Sequence, residues 1–527
     1  MTQSSDAQAN FEAYLQYLSY NDDRLLINGE SKYPILLPQR VSKESIENAV
    51  YEYCQKYNID YVSTENVNKW SIAMVKEYHL QRLKPKGKVE KTTTAQESKE
   101  QPIVLTDDLT REVTFQEVSA ILSTSIKKDE AAKLITFCGM LLAQSNEDQL
   151  NLGFQSESSA GKSYIPIEVA SYFPKEEVEI LASASPTAFY HDGKWDNEKK
   201  VLFRDLEHKN LIFLDQPHFQ LLEKLRPLLS KDMKELYYKI TDKNQRQGLR
   251  TKNVIIRGFP SVFFCTTRTD PDEQEKTRMI LLSPSTDQEK LRESLELVSL
   301  KKSNPEEYRK RIQHDPRRSW LVDRIKAIRQ WGIREVLVPN DGKDVYERFM
   351  KEHAYLLPRH QRDFPRIFSF IKAHALLNCF KREKVLNGHA DKPVAIIANQ
   401  ADIDAGFELY KEIEQSNELG LSPYIFKIYR EVIQPLLNPQ VGLSRKEIRS
   451  KYYTVFHKTL AAKLEESVIM QLEGAGLIEQ SPDPEDKRKM LVYPTVSGNI
   501  SSDRKCIPQD SGATPLEQYP REVQPAT

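Results

Sequence analysis

No stretch of this 527-residue sequence approaches the roughly 18 to 20 consecutive apolar residues of a bilayer span, which excludes a membrane-spanning helix. The first ten residues are polar and contain no apolar leader, so the expected location is cytoplasmic. Cysteine is scarce: Cys54, Cys138, Cys265, Cys379 and Cys506 stand singly, with no C-x-x-C pair and no nearby histidine at zinc-ligand spacing. That excludes a disulfide framework or a cysteine-rich zinc module and leaves reduced, mostly buried thiols. Net charge is also absent, with 76 basic and 76 acidic side chains, so only local clusters can speak for or against a nucleic-acid partner. With 29% charged residues and a mean hydropathy of −0.59, the chain reads as a water-exposed, multidomain protein.

At roughly 150 residues per compact unit, this length implies three or four of them. Residues 1–83 read as a helical N-terminal domain, with Ile46, Val50, Tyr53 and Tyr57 at helical spacing. Residues 84–104 are a linker, too poor in apolar side chains to offset the entropy of folding. An α/β core follows over 105–300. Its short apolar runs at 150–154, 178–183, 210–215 and 261–266 alternate with helical segments, the pattern of a mainly parallel sheet covered on both faces. Residues 301–420 are mainly helical, with a strand at 394–398. Residues 421–494 end in the order helix, helix, strand, charged turn, strand, and 495–527 form a Pro-, Ser- and Gln-rich tail expected to be disordered.

Residues 156–163 read SESSAGKS and match G-x-x-x-x-G-K-[ST] except that Ser156 replaces the first glycine. The run lies between a strand and a helix at 164–172, where backbone amides of Ser158, Ser159, Ala160 and Gly161 point toward an anion. Lys162 would neutralise the β and γ oxygens of a triphosphate, and Ser163 would ligand Mg²⁺. The plainer reading is a serine-rich turn whose hydroxyls cap helix amides. Downstream, the apolar run 211–214 ends in Asp215, a carboxylate suited to the Mg²⁺ water shell, and Gln216 follows it. A glutamine orients a water but cannot take its proton, so Asp215 doubles in role, Glu207 or Glu223 serves, or turnover is slow. A third strand, 261–266, leads into Thr266 and Thr267, hydroxyls suited to sense a γ-phosphate or the attacking water.

In chain order the blocks SESSAGKSY, ASASPTAFYHD, NLIFLDQP, LRPLLSKD, RGFPSVFFCTT and DPDEQEKTRMILLSPSTDQEK together resemble the AAA+ ATPases of phage, plasmid and archaeal replication helicases. These include minichromosome-maintenance-like proteins and the helicase parts of primase-helicases. The resemblance covers residues 129–414. It implies a P-loop NTPase core with Lys162 and Ser163 as the Walker A pair, Asp215 as Walker B, and Thr267 or Thr266 as sensor 1. Arg278 resembles the arginine supplied to a neighbouring subunit's ATP, which makes hydrolysis depend on assembly. RDFPRIFSFIKAHALLNCFKRE and AIIANQADIDAGFELYKEI resemble a helical lid, with Arg366 as sensor 2 and Arg362 as the competing choice. Ser156 and Gln216 depart from the family pattern. The implied cofactors are ATP and Mg²⁺, and the implied assembly is a homo-oligomeric ring.

Local basic clusters suggest where DNA, single-stranded or duplex, would touch. Residues 231–260 hold eight basic side chains against three acids, and include a loop expected at 241–251 with Lys243, Arg246 and Arg250, followed by Lys252. Residues 301–334 hold eleven against four, but Trp320 and Trp331 there fit an apolar helical stripe and are assigned to packing. The C-terminal unit resembles a winged helix-turn-helix. Arg445, Lys446 and Arg449 lie on its first helix, and Lys487, Arg488 and Lys489 on the turn between its wing strands. The expected function is that of an ATP-dependent DNA-translocating ATPase, a replicative helicase of a mobile element or virus. The alternative is an ATP-switched DNA-binding regulator or helicase loader that unwinds nothing.

Overall fold

The computed structural model describes residues 18–21, 24–27, 30–36 and 103–495, apart from 157–158, 183, 186, 197–200, 216, 243–249, 267–277, 354–355 and 387–392. The chain divides into two units, Met1–Pro102 and Ile103–Thr527. The first contains an antiparallel meander of β1 (Leu18–Asn21), β2 (Arg24–Ile27) and β3 (Glu30–Leu36). This corrects the helical expectation for these residues. The strands are separated by Asp22-Asp23 and Asn28-Gly29, pairs with the composition of tight hairpin turns. The helical pattern around Ile46 to Tyr57, the linker and the C-terminal tail lie outside the described residues.

After a single helical turn at Asp107–Thr110, the second unit continues with α1 (Phe115–Leu122), started by a capping box of Thr114 and Glu117, and α2 (Glu130–Leu142). There follow β4 (Asn151–Gln155), α3 (Tyr164–Ala170), β5 (Val178–Leu181), β6 (Lys194–Asp196), β7 (Val201–Asp205) and β8 (Asn210–Phe213). Next come α4 (Phe219–Leu229), β9 (Glu235–Asp242), β10 (Arg250–Arg257), β11 (Ser261–Thr266) and β12 (Ile280–Leu282). The four apolar runs expected from the sequence, joined at one edge by β12, which was not expected, form a five-stranded, wholly parallel sheet in the order β12-β4-β11-β8-β5. Strands β8 and β11 are buried along their entire length, as interior parallel strands must be.

A second, four-stranded sheet, β6-β7-β10-β9, has no counterpart in the sequence reading. Its long hairpin of β9 and β10 pairs Glu235 with Arg257 and Asp242 with Arg250. Strand residues therefore take up both ends of the loop expected at 241–251. The alternation of Leu236, Tyr238 and Ile240 with polar neighbours, and the β-branched run of Val254, Ile255 and Ile256, favour extended backbone over a loop.

Beyond the sheet run α5 (Gln288–Ser303), α6 (Pro316–Trp331), β13 (Glu335–Leu337), α7 (Lys343–Glu352) and α8 (His360–Leu377). Strands β14 (Glu383–Leu386) and β15 (Pro393–Ile397) join β13 in a small sheet, followed by α9 (Gln400–Lys411) and α10 (Glu414–Glu418). One apolar core unites α1, α2 and one face of the parallel sheet with α6, α8 and α9, so packing is continuous across residue 300. The opposite sheet face packs on α4 and the four-stranded sheet. A separate core serves α11 (Arg445–Phe456), α12 (Ala462–Gly474) and the antiparallel pair β16 (Ile478–Pro482) and β17 (Met490–Pro494), the element order read from the sequence. Among the described residues, no helix is long and apolar enough to cross a membrane.

Candidate functional site

The register of the parallel sheet gathers the sequence-predicted site residues along one edge. Gln155 pairs with Thr266, and Phe213 pairs with Phe264, so residue 215 extends past the end of β8 at the level of Thr266. Three neighbouring carboxyl ends thus carry the 156–163 loop, Thr266 and Asp215. At about 4.8 Å per strand the outer two are about 10 Å apart, a span that a phosphate chain and a metal ion can bridge. In open parallel sheets, ligands settle outside these carboxyl ends, beside the strand where the chain order reverses. Here β4 is such a strand: the chain leaves it for the far edge at β5, returns through β8 and β11, and then crosses to β12.

Backbone conformation sets the loop apart. Ser159 has a φ of 66° and Gly161 a φ of 97°, two left-handed residues around a buried Ala160. Successive backbone N–H groups in alternating right- and left-handed conformation can form anion-binding concavities. A non-glycine residue held at positive φ also stores strain, which concentrates at functional sites. A Cβ on Gly161 would meet no atom within 4 Å, so conformation alone demands glycine there. Ser163 occupies the N-cap of α3, yet its side chain makes no capping hydrogen bond, contrary to the plain serine-cap reading. Ser156, in the place of the first motif glycine, is buried with its Oγ unpartnered among the described residues.

The loop is braced from behind. Cys265 Sγ donates to the Lys162 carbonyl at 3.4 Å, which ties the loop to β11, and burial pushes this thiol up to about 12. Lys290, on α5, donates to the carbonyls of Ala160 at 3.3 Å and Ser285 at 2.8 Å while ion-paired with Asp129. Asp129 itself accepts the Ser285 N–H at 2.7 Å, and its carboxyl sits above the usual range because burial outweighs the lysine beside it. Residues 129 and 290 are far apart in sequence, and although Lys290 closes the block DPDEQEKTRMILLSPSTDQEK, the sequence reading gives neither residue a role.

The remaining sequence-predicted residues are distributed unevenly. Ser158, Gln216, Thr267, Lys243 and Arg246 lie outside the described residues. Lys162 and Thr266 are buried, and Asp215 is exposed. Arg278 is half-buried, with Nε donating to Ser230 Oγ at 2.7 Å. Arg366 is buried and donates to Asp363 Oδ1 at 2.5 Å and to the Met279 carbonyl at 2.9 Å, while Arg362 is exposed. Burial pushes the Arg366 guanidinium down to about 10. Of the substitute bases, Glu207 precedes β8, at the end of the sheet away from Asp215. Lys234 at 2.7 Å and Arg257 at 3.3 Å hold it there.

The proposed DNA contacts fall on three surfaces. Arg250 and Lys252 belong to β10, and the Lys252 ammonium lies 5.1 Å over the half-exposed Trp195 ring of β6. On α11, Arg445 donates to Gln480 at 2.8 Å and Arg449 pairs with the buried Glu465 at 2.6 Å, whereas Lys446 is exposed. Between β16 and β17, Lys487, Arg488 and Lys489 are all exposed, and Asp486 pairs with Arg488 at 3.1 Å and Lys489 at 3.3 Å.

One further cluster was not anticipated. At the end of α7, His353 Nε2 lies 2.9 Å from Glu414 Oε1 and 3.3 Å from Glu418 Oε1; His360 Nε2 lies 3.0 Å from the same Glu418 oxygen. The His353 and Glu418 side chains are only 2% and 4% exposed. Burial opposes a charge on His353, but the two carboxylates and the Phe349 carbonyl outweigh it and raise the imidazole to about 10. Two histidines seven positions apart carry little signal until helix packing brings in an acid 58 residues beyond the second.

No protein-family profile matches this chain, and neither does any curated protein sequence.

Proposed function

We propose that this chain is an ATP-dependent, DNA-translocating ATPase, a replicative helicase of a mobile element or virus acting in the cytoplasm as a homo-oligomeric ring. The observation that carries this reading is the SESSAGKS loop. Two of its residues are left-handed, and it lies at the carboxyl end of β4 in a parallel sheet whose neighbouring strands lead to Thr266 and Asp215. In this reading 156–163 is a P-loop: its amides and Lys162 hold the triphosphate, and Ser163 with Asp215 holds Mg²⁺. Gln216 orients the attacking water without accepting its proton, so the reaction relies on Asp215 or proceeds slowly. Arg278 acts on the ATP of the adjacent subunit after releasing Ser230, and residues 301–420 serve as the lid. Arg366 reaches nucleotide only by leaving Asp363 and Met279. The β9–β10 hairpin and the C-terminal winged helix follow the phosphates of DNA through Lys243, Arg246, Arg250, Lys252 and the basic wing.

A second reading, an ATP-switched DNA-binding regulator or loader, is favoured by two observations. Gln216 follows Asp215, and residues 445–494 have the helix, helix, strand, turn, strand order of a duplex-binding winged helix. Steady-state ATP hydrolysis with and without single-stranded DNA, beside displacement of a strand from a forked duplex, separates the two. DNA-stimulated turnover with strand displacement supports the helicase. Nucleotide-dependent duplex binding without displacement supports the switch, and absence of both activities refutes both.

A further inference from the structure

We propose that His353, His360 and Glu418, with Glu414 beside His353, form a site for one divalent transition-metal ion of the zinc class, clasping α7, α8 and α10 together. The donor atoms come from three separate elements: His353 caps the end of α7, His360 opens α8, and the two glutamates bound α10. One donor atom each from His353, His360 and Glu418 lies within 4.8 Å of the others, and the contacts that link the four residues are 2.9 to 3.3 Å long. A tetrahedral ion with bonds of about 2.1 Å holds its donors about 3.4 Å apart, so the linked donors would separate slightly and the more distant ones close in.

The ring orientation of His353 supports a cation. Its Nδ1 contacts the Phe349 carbonyl at 2.9 Å and donates its proton there, the outer hydrogen bond that commonly fixes a metal-binding imidazole with Nε2 turned inward. That Nε2 is buried and faces both carboxylates, and a cation at this point would take the place of its proton, which leaves to solvent. Phe349 stacks on the His353 ring at 4.0 Å and closes one wall, leaving little room for the water shell that Mg²⁺ retains. Imidazole nitrogens with carboxylate oxygens select zinc-like ions. His360 now accepts the Leu357 N–H on Nδ1 at 3.2 Å, so its proton sits on Nε2. Binding moves that proton to Nδ1 and breaks the Leu357 bond.

The consequence reaches the main sheet. Between the two glutamates, Asn417 accepts the Leu281 N–H at 3.0 Å and donates to the Leu281 carbonyl at 3.2 Å, bracketing edge strand β12. An ion at the base of α10 would fix that bracket, and with it the strand that follows Arg278. The site is independent of the nucleotide reading and stands if that reading fails.

The full-length chain, stripped by a chelator, is titrated with Zn²⁺ alone and with Co²⁺ alone. Expected are one Zn²⁺ per chain after gel filtration, a raised thermal midpoint, and a tetrahedral Co²⁺ visible spectrum that Zn²⁺ abolishes. His353→Ala and Glu418→Gln each weaken Zn²⁺ binding by at least roughly 100-fold, the upper range for loss of a mere outer partner. His314→Ala, an exposed histidine outside the cluster, leaves it unchanged. Should a variant fail to fold, the wild-type cobalt spectrum still decides. Six-coordinate cobalt, Zn²⁺ well below one per chain, or unaltered affinity in a folded His353→Ala overturns the proposal.

Discussion

Replacing Lys290 with methionine tests how the 156–163 loop is held. The lysine side chain is 10% exposed and its partner Asp129 is 2% exposed, so this pair belongs to the buried class, in which removing one member costs about 3–5 kcal/mol. The carbonyls of Ala160 and Ser285 lose a donor as well. Asp129 keeps the Ser285 N–H and can neutralise itself by taking a proton, which points to the lower end, about 3 kcal/mol. Without the lysine the folded-state pKa of Asp129 lies further above its unfolded value. The deficit is then complete above the new folded value and shrinks as pH falls through it toward the ordinary carboxylate range. Urea midpoints of wild type, Lys290→Met, Asp129→Asn and the double variant measure both effects. The double variant is expected within about 1 kcal/mol of wild type, since a neutral pair leaves no uncompensated charge. A single-variant deficit below about 1 kcal/mol and independent of pH would be that of an exposed pair and would refute the bracing role.

Gly406→Ala is expected to destabilise by about 1–3 kcal/mol, because the new Cβ would lie 2.4 Å from Ile371 Cγ1 and 2.9 Å from Ile371 N, pushing α9 off α8. An unchanged thermal midpoint would contradict that packing. Burial depresses the Lys231 ammonium to about 8, so between there and its ordinary 10.5 the unfolded chain binds the extra proton and stability rises with pH. Lys231→Met is expected to flatten that rise in urea midpoints taken from pH 7.5 to 9.5; an identical slope in both proteins would assign it to other groups.

The parallel core was legible because interior strands need unbroken apolar runs: residues 211–214 and 261–266 have no other economical fold, and β11 falls on the bounds read for it. Strands β6 and β7 escaped notice because Lys194, Asp196, Arg204 and Asp205 interrupt their apolar positions. Strand β7 is stabilised by pairing with β10, dozens of residues further along the chain, and β6 by pairing with β7. In the first unit the helical spacing of Ile46 to Tyr57 does not continue back over residues 18–36, where the Asn28-Gly29 pair is a hairpin signal between apolar runs. At the candidate site the loop announced itself through local spacing, but its braces did not. Asp129 and Lys290, like His353 and Glu418, meet only through tertiary packing, and a lysine within a charged helix gives no hint that its ammonium is buried.

The central claim is that a triphosphate binds at the 156–163 loop, and equilibrium binding of a fluorescent ATP analogue with Mg²⁺ tests it most directly. The wild-type chain is expected to bind, and Lys162→Ala, losing a charge-assisted contact of about 2 kcal/mol or more, is expected to bind at least roughly 30-fold more weakly while keeping its thermal midpoint. Equal affinity in the two proteins, or no binding by the wild type, would contradict the account.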